Sequence, residues 1–532
     1  MIDEISFIDA TVFGHVDNGF NILLGKKSFG ETLCGGMPLL LSGDNHQKPP
    51  PGGTPWHQHL VKVATKEFDN PGRHASDNAL KRGLNLLRKA QRIDFKRQMR
   101  ARNDPAFIDF QMKMRRTDVV HPIPDMFLQQ MRTVSKHDLE EDAAWLFAPI
   151  GVLSHVERDA INLGQLKAFA AKFNLPIVRW RNELVDGSAF ETHSIRDELF
   201  NHERNLWSYF VEGAPVLLGK TIKSVRKLVN GSPGLLDSLN VINAADLQRI
   251  ENGYNTGFDK NMVTLESMPL AVNVVVGGTE DAPILWHEVP LPDLSRLIPE
   301  FTIPRSTEDF DGCEDERNNC AQVIPLLLSP SSETADCYSV YAAQQGICNK
   351  ILVRRHPYEL AFALTDYKLQ GRTLPKLIIS LCTRVRMPWM TLSSFYVLIS
   401  RVESLKGLRI LQFDRDGLDA VRRQMPDLYL HAWEQAYTDT GDWSDDRAIA
   451  ALNNIRDLRN REKQAAAQEM RTQSLTISPN HRATKRRLPQ MTPDNSKPRA
   501  KKVYTCSICK SPDHRRDKCT SVTRTAKNAL LE

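Results

Sequence analysis

Short apolar runs alternate with amphipathic stretches from the start of the chain. Within residues 1–130 the run MPLLLSG (Met37–Gly43) has the length of a buried strand, while Asn78–Ala90 spaces its apolar side chains as a helix does. This alternation predicts an α/β layer architecture. WLFAPIGVL (Trp145–Leu153) reads as a strand feeding the helix HVERDAINLGQLKAFAAKF (His155–Phe173). Residues 260–345 differ in character. VNVVVGG and ILWHEVPL are short β-like runs punctuated by Gly and Pro, and DFDGCEDERNNC is an acidic loop, so a small β-rich insertion is expected there. Strand-like KLIISL and LRILQF follow, bracketing a helix expected around Leu392–Val402. From Asp416 to about Met470 the pattern is helical. Beyond it, Ser, Thr, Pro, Asn and basic residues predict a disordered linker over Arg471–Tyr504.

The 532 residues suffice for three or four domains at ~150 residues each. With 41% hydrophobic and 25% charged residues, the composition is that of a soluble globular protein. No apolar run approaches the ~18 residues of a membrane span. The N-terminal MIDEISFIDA has no basic, signal-like region, so an intracellular, non-secreted protein is expected. The net charge of +6 is unevenly placed: residues 471–532 hold 15 Lys/Arg and 4 Asp/Glu, a net of +11, which leaves 55 against 60, or −5, for residues 1–470. The clusters TKRR (Thr484–Arg487) and KPRAKK (Lys497–Lys502) fit a nucleic-acid or nuclear-import patch, and fit a solvated, disordered tail equally well. Of nine cysteines, six are scattered, which argues for a reducing compartment.

The other three cysteines decide how the tail is read. Cys506, Cys509, His514 and Cys519 stand in the order C-x2-C-x4-H-x4-C, and three thiolates with one imidazole complete a tetrahedral Zn²⁺ shell. Such a site leaves no open position for chemistry and would be structural, supplying folding energy to a segment without a core. The spacing resembles the CCHC zinc knuckle of single-stranded nucleic-acid binders. Ser507, Lys510 and Asp513 replace the aromatic and glycines usual in that family. Lys510, Arg515, Arg516 and Lys518 are expected to contact phosphate, which favours a tail that binds single-stranded DNA or RNA.

A second constellation lies in the body. Asp3-Glu4-Ile5-Ser6 is followed by GGMPLLLSGDNHQKPPPGG (Gly35–Gly53), RQMRARNDPAF (Arg97–Phe107), KLVNGSPG (Lys227–Gly234), FALTDYKLQGRTLPKLIISL (Phe362–Leu381) and YVLISRVESLKGL (Tyr396–Leu408). In this order the segments resemble those of superfamily 1 DNA helicases of the petite-integration-frequency type, including helicases carried by Helitron transposons, over about 400 residues. The resemblance implies that Asp3 holds Mg²⁺ and Glu4 orients the attacking water during ATP hydrolysis. It implies that Gln47 senses the γ-phosphate and that Arg100 and Arg401 neutralise charge on the transferred phosphoryl group. Thr365, Lys368, Gln370, Gly371 and Thr373 would track the backbone of single-stranded DNA. Several positions depart from the family's patterns: Tyr367 stands for His, Leu369 for Ser, Ser232 for Thr, Leu398-Ile399 for Ala-Leu, Asn45-His46 for Phe-x, and Lys48 for Leu.

No G-x-x-x-x-G-K-[ST] occurs in the chain; Gly213 to Thr221 carries one residue too many, and its interior APVLL reads as a strand. Without that loop no row of backbone N–H groups cradles the β- and γ-phosphates. Asp3 and Glu4 are then expected on a fraying terminus, and the chain is expected to be inactive in ATP hydrolysis, either a truncated gene model or a decayed transposon-derived copy. The alternative is a non-catalytic, zinc-dependent binder of single-stranded nucleic acid. The expected organisation is a truncated first RecA-like domain (1–130), a second RecA-like domain (131–259 and 346–416) interrupted by an SH3-like β-barrel insertion (260–345), a helical extension (417–470), a basic linker (471–504) and the knuckle (505–520). Nuclear localisation is expected from the basic clusters.

Overall fold

The computed structural model describes residues 1–25, 32–67, 75–185, 193–224, 228–259, 262–276, 322–337, 339, 341–342, 350–381, 390–413 and 415–476. It divides into a unit of residues 1–464 and a second of 465–532, of which 465–476 are described and helical. The segments ILWHEVPL and DFDGCEDERNNC, most of the basic linker, and the whole knuckle with Cys506, Cys509, Lys510, His514, Arg515, Arg516, Lys518 and Cys519 lie outside the described residues.

A four-stranded parallel sheet runs in the order Ala363–Thr365, Ile150–Val152, Leu377–Leu381, Leu408–Phe413. Ile150 pairs with both Ala363 and Ile378, so the strand expected within Trp145–Leu153 forms, though only over its last residues. The strands at Ile150–Val152 and Ala363–Thr365 are buried throughout and Leu377–Leu381 nearly so, whereas the edge strand Leu408–Phe413 exposes Leu411 and Gln412. Helix His155–Phe173 leaves this sheet behind a reciprocal Ser154–Glu157 capping box and ends at Asn174, whose φ of 55° breaks the helix. Helix Leu392–Ile399 packs directly on the sheet: a Cβ at Gly151 would stand 2.6 Å from Leu398 Cδ2.

The antiparallel strands are not confined to 260–345. A five-stranded sheet orders Tyr358–Leu360, Pro215–Leu218, Pro233–Asn240, Ala271–Val276 and Gln322–Leu327. A second joins Trp207–Phe210, Val178–Arg181 and Val263–Thr264, and a third joins Glu333–Asp336, Lys350–Arg354 and Glu183–Leu184. Trp180, Phe210, Val216, Leu218, Val272 and Val274 close a shared core with Phe169 of the long helix. Pro215–Leu218 is the strand expected inside the Gly213 to Thr221 segment.

The first 130 residues correct the expectation of alternating strands. They are helical: Ala10–Leu23, Trp56–Ala64, Ala75–Lys89, Pro105–Met114 and Asp125–Gln130. Met37–Gly43 is extended, but its ladder amounts to one bridge between Leu41 and Ile2. Leu39 and Leu41 pack inward while Leu40 stays exposed, so its apolar composition serves the helical core without a sheet. Helices Ala10–Leu23 and Ala75–Lys89 nearly touch backbones; an added Cβ at Gly14 or Gly83 would fall 1.8 Å from Ala79 O or Ala10 O. Trp433, Leu452 and Ile455, from helices Leu428–Gln435 and Asp445–Thr476, complete this core. Among the described residues no helix is long and apolar enough to cross a membrane.

Candidate functional site

The N-terminus is tied down, which corrects the expected fraying. Ile2 N donates to Leu40 O at 2.8 Å, Ser42 N to Ile2 O at 2.9 Å, and Ile5 N to Ser42 O at 3.0 Å. Gly43 permits this approach, because a Cβ there would lie 2.7 Å from Ile5 N. Ser42 Oγ donates to Asp3, while Glu4, at a left-handed φ of 53°, turns the other way. Glu4 Oε2 accepts from Gln370 Nε2 at 2.9 Å, and the same amide donates to Ser6 Oγ at 3.0 Å. Gln370 Oε1 accepts from Lys48 N at 3.1 Å. One buried glutamine therefore joins the first residues, the Asp44–Lys48 turn and the 362–381 segment.

Lys48 reinforces that junction. Its ammonium lies 3.0 Å from Asp366 Oδ2, donates to Ser394 Oγ at 2.9 Å, and sits 4.7 Å from the centroid of Tyr367. In the turn before it, Asp44 accepts from Arg115 Nη1 at 2.8 Å, Tyr396 OH at 3.0 Å and His46 N at 3.0 Å. Burial alone would raise the Asp44 carboxyl, but the positive charge of Arg115 and these donors hold it below the usual carboxylate range. His46 Nε2 lies 2.7 Å from Glu434 Oε1, linking the turn to helix Leu428–Gln435. Gln47 Oε1 is buried without a hydrogen-bond partner.

The two expected arginines meet at one residue. Arg100 donates from Nε to Thr373 Oγ1 and from Nη1 to the Ser400 carbonyl, both at 2.8 Å. Arg401 is 1% exposed; it donates from Nε to Val397 O at 3.0 Å and from Nη2 to Ser400 Oγ at 2.7 Å. No carboxylate among the described residues lies within ion-pair distance of Arg401. Burial, and then the like charge of Arg100, pull its pKa down to about 10, while Glu4 and Asp44 act in the opposite sense from farther off. A buried guanidinium without a counter-charge, beside a second one, is suited to an anion.

In the same segment as Gln370, Lys368 Nζ donates to Asn230 Oδ1 at 2.9 Å, Arg372 donates from Nε to Lys368 O at 2.8 Å, and Arg372 Nη2 also contacts Gly231 O. The KLVNGSPG segment and the 362–381 segment are thus neighbours. Gly371 takes a φ of +80°, with Glu4 Oε1 3.7 Å from where its Cβ would be. Thr365 is buried at the end of its parallel strand, opposite Val152, whereas Thr373 is exposed. Side-chain bonds therefore join Glu4, Gln370 and Lys48, next to Gln47 and Gly371, and join Thr373, Arg100, Ser400 and Arg401, while Asp3 is directed to Ser42. Reading the sequence missed Ser6, Asp44, Arg115, Asp366, Ser394, Tyr396 and Glu434. Lys48 and His46 stood out there only as departures from a pattern.

The fit to a magnesium nucleotide is one-sided. Arg100 and Arg401 supply donors that suit a terminal phosphate, whereas the unpartnered Gln47 oxygen, like Glu4, accepts and suits a water. Among the described residues no phosphate-cradling loop faces them, and no group of three His, Cys, Asp or Glu residues could hold a metal ion. No hydrolytic step follows from the described residues alone.

The body is an α/β structure with one parallel sheet and further antiparallel pairings. No protein-family profile matches the chain. It is 22% identical over 467 residues to the ATP-dependent DNA helicase PIF1 of Saccharomyces cerevisiae (strain YJM789), a match covering 81% of this chain and 49% of the relative. The chain thus spans about half the length of that curated relative. Among solved structures it is similar to a Pif1 helicase from Candida albicans, at 17% identity and TM-score 0.42, covering 81% of this chain and 75% of that one. A Bacteroides Pif1 bound to single-stranded DNA is similar at 16% identity and TM-score 0.43, with 83% and 76% covered.

Proposed function

We propose that residues 1–416 form the part of a Pif1-type DNA helicase motor that lies around the terminal phosphate of ATP and grips single-stranded DNA. The supporting observation is convergence: Gln370 bonds Glu4 and the backbone of Lys48, Arg100 bonds Thr373 and Ser400, Arg401 bonds Ser400, and the charge of Glu4 acts on both arginines. Glu4, Gln47, Arg100 and Arg401 are the ATP-facing residues in this reading; of the segment read as tracking DNA, Lys368, Gly371 and Thr373 face the strand, while buried Thr365 and Gln370 hold the segment in place. Because these 532 residues contain no Walker-type loop, they are expected to bind single strands without hydrolysing ATP. Purified protein incubated with ATP, Mg²⁺ and oligodeoxythymidine should release no phosphate above a protein-free blank. Release that Arg401→Ala abolishes would refute this.

A second reading concerns the tail, on the strength of its C-x2-C-x4-H-x4-C spacing. Here the tail binds one Zn²⁺ through Cys506, Cys509, His514 and Cys519 and adds a basic, single-strand-binding module of transposon origin, acting in the nucleus. Metal analysis should find one zinc per chain, and Cys509→Ser or a chelator should weaken oligonucleotide binding. A metal-free chain that binds with undiminished affinity would end this reading.

A further inference from the structure

The small sheet made by Trp207–Phe210, Val178–Arg181 and Val263–Thr264 takes no part in the bonds around Gln370 and Ser400, and on the face opposite Trp180 two arginines lie over Trp207, which is itself buried with Leu199, Phe200 and Leu206. The antiparallel register pairs Arg179 with Tyr209 and Arg181 with Trp207. Alternation sends Val178, Trp180 and Phe210 into the core and these four side chains to the other side. There the Arg179 guanidinium lies 4.3 Å over the Trp207 ring, and the Arg181 guanidinium 4.9 Å over Phe200 and 5.6 Å from Trp207.

Arg179 is fixed in plane as well as in place. Its Nε donates to Thr264 Oγ1 at 3.0 Å on the neighbouring strand, which leaves both terminal amino groups free to donate outward. No carboxylate among the described residues lies within ion-pair distance of it. Arg181 pairs with Asp197 at 2.5 Å, but both side chains are half-exposed, at 46% and 58%. An exposed pair of this kind is weak and exchanges readily for another anion. The other acid beside the ladder, Glu266, is engaged by Arg249 at 2.5 Å. The face thus carries a positive excess in two planar forks, ~6.7 Å apart along one strand.

We infer that this face is a second contact surface for single-stranded nucleic acid, with Arg179 and Arg181 taking neighbouring backbone phosphates; this rests on the reading of the chain as a single-strand binder. A stacked guanidinium presents paired N–H donors that match phosphate oxygens. Its outer plane also accepts an unstacked base, which a duplex does not offer. If the arginines only covered Trp207, any long side chain would serve, and the orientation of the free amino groups would have no consequence.

The test is fluorescence anisotropy of the full 532-residue chain with labelled oligodeoxythymidine over a range of NaCl concentrations. Arg179→Ala should weaken binding about fivefold at 0.1 M salt and reduce the slope of log affinity against log salt by about 0.7, the value for one phosphate on a single strand. Arg179→Lys keeps the charge and should keep the slope, and it serves as the folded control should the alanine variant be unstable. Lys368→Ala separates the two readings. If Lys368→Ala weakens binding while Arg179→Ala and Arg181→Ala leave affinity and slope unchanged, the second surface is overturned and the reading of Lys368 as strand-facing stands. If the unaltered chain binds no single strand, both fall. An equal loss for a duplex of the same length would overturn the assignment to single strands.

Discussion

Lys48 is held at once by a carboxylate, a hydroxyl and an aromatic face, with its side chain 12% exposed and Asp366 only 3% exposed. Removing one partner of such a pair strands the other charge. Lys48→Met should therefore cost about 3 kcal/mol in chemical denaturation, and adding Asp366→Asn should restore part of it. Lys48 and Tyr367 are both departures from the family's patterns, and they touch, so each makes sense of the other. His356 carries a pH dependence. Its Nε2–H faces Pro269 O at 3.1 Å while Nδ1 is buried without a partner, and burial lowers its pKa from 6.5 to about 4. Above pH 6.5 both folded and unfolded chains carry it neutral and it contributes nothing. Below 6.5 the unfolded chain takes up a proton that the folded chain does not, so stability falls toward pH 4. Melting temperatures should show a shallower decline between pH 7 and 4.5 in His356→Phe than in the parent chain.

At the scale of elements, the parallel sheet was the most legible part. KLIISL is apolar because both faces of its strand are covered, LRILQF buries Leu408 and Ile410 while its other face holds Arg409, Leu411 and Gln412, and the helix between them has the expected position. MPLLLSG carries the same signal for a different reason, since its leucines cover helices, and composition cannot separate the two. The strand VRWR (Val178–Arg181) went unread because its outward positions hold arginines, which look like loop until Trp207 is placed beneath them. The candidate site was legible as separate segments through their resemblance to a family. Its cross-links, such as Lys48 to Asp366, join positions more than 300 residues apart and have no local signature. Gly151 shows how tightly the sheet is dressed. Gly151→Ala should destabilise the fold by about 1–3 kcal/mol, because the 2.6 Å approach to Leu398 leaves no room, and Leu398→Ala in the same chain should relieve it in thermal melts.

At the scale of the molecule, the chain returns on itself. Ile5, Phe13, Trp56, Leu60 and Val61 share one core with Leu430, Trp433, Leu452 and Ile455. A chain stopped at Asp416 would leave the early helices uncovered. It should bind an apolar dye such as ANS strongly and sediment as aggregate, whereas the full chain should do neither. The charge is also divided, with −5 over residues 1–470 and +11 beyond, so the affinity of the whole chain for nucleic acid should fall steeply with salt.

That shared core also sets a timetable. A ribosome adding ~5–20 residues per second needs roughly 20–70 s to travel from the end of the early helices to Ile455. For that interval Trp56 and its neighbours wait without their cover while the parallel sheet and the antiparallel strands are still being made. Within this core the early helices are thus made well before the residues that cover them, and a growing chain of this kind is a natural client for holding chaperones.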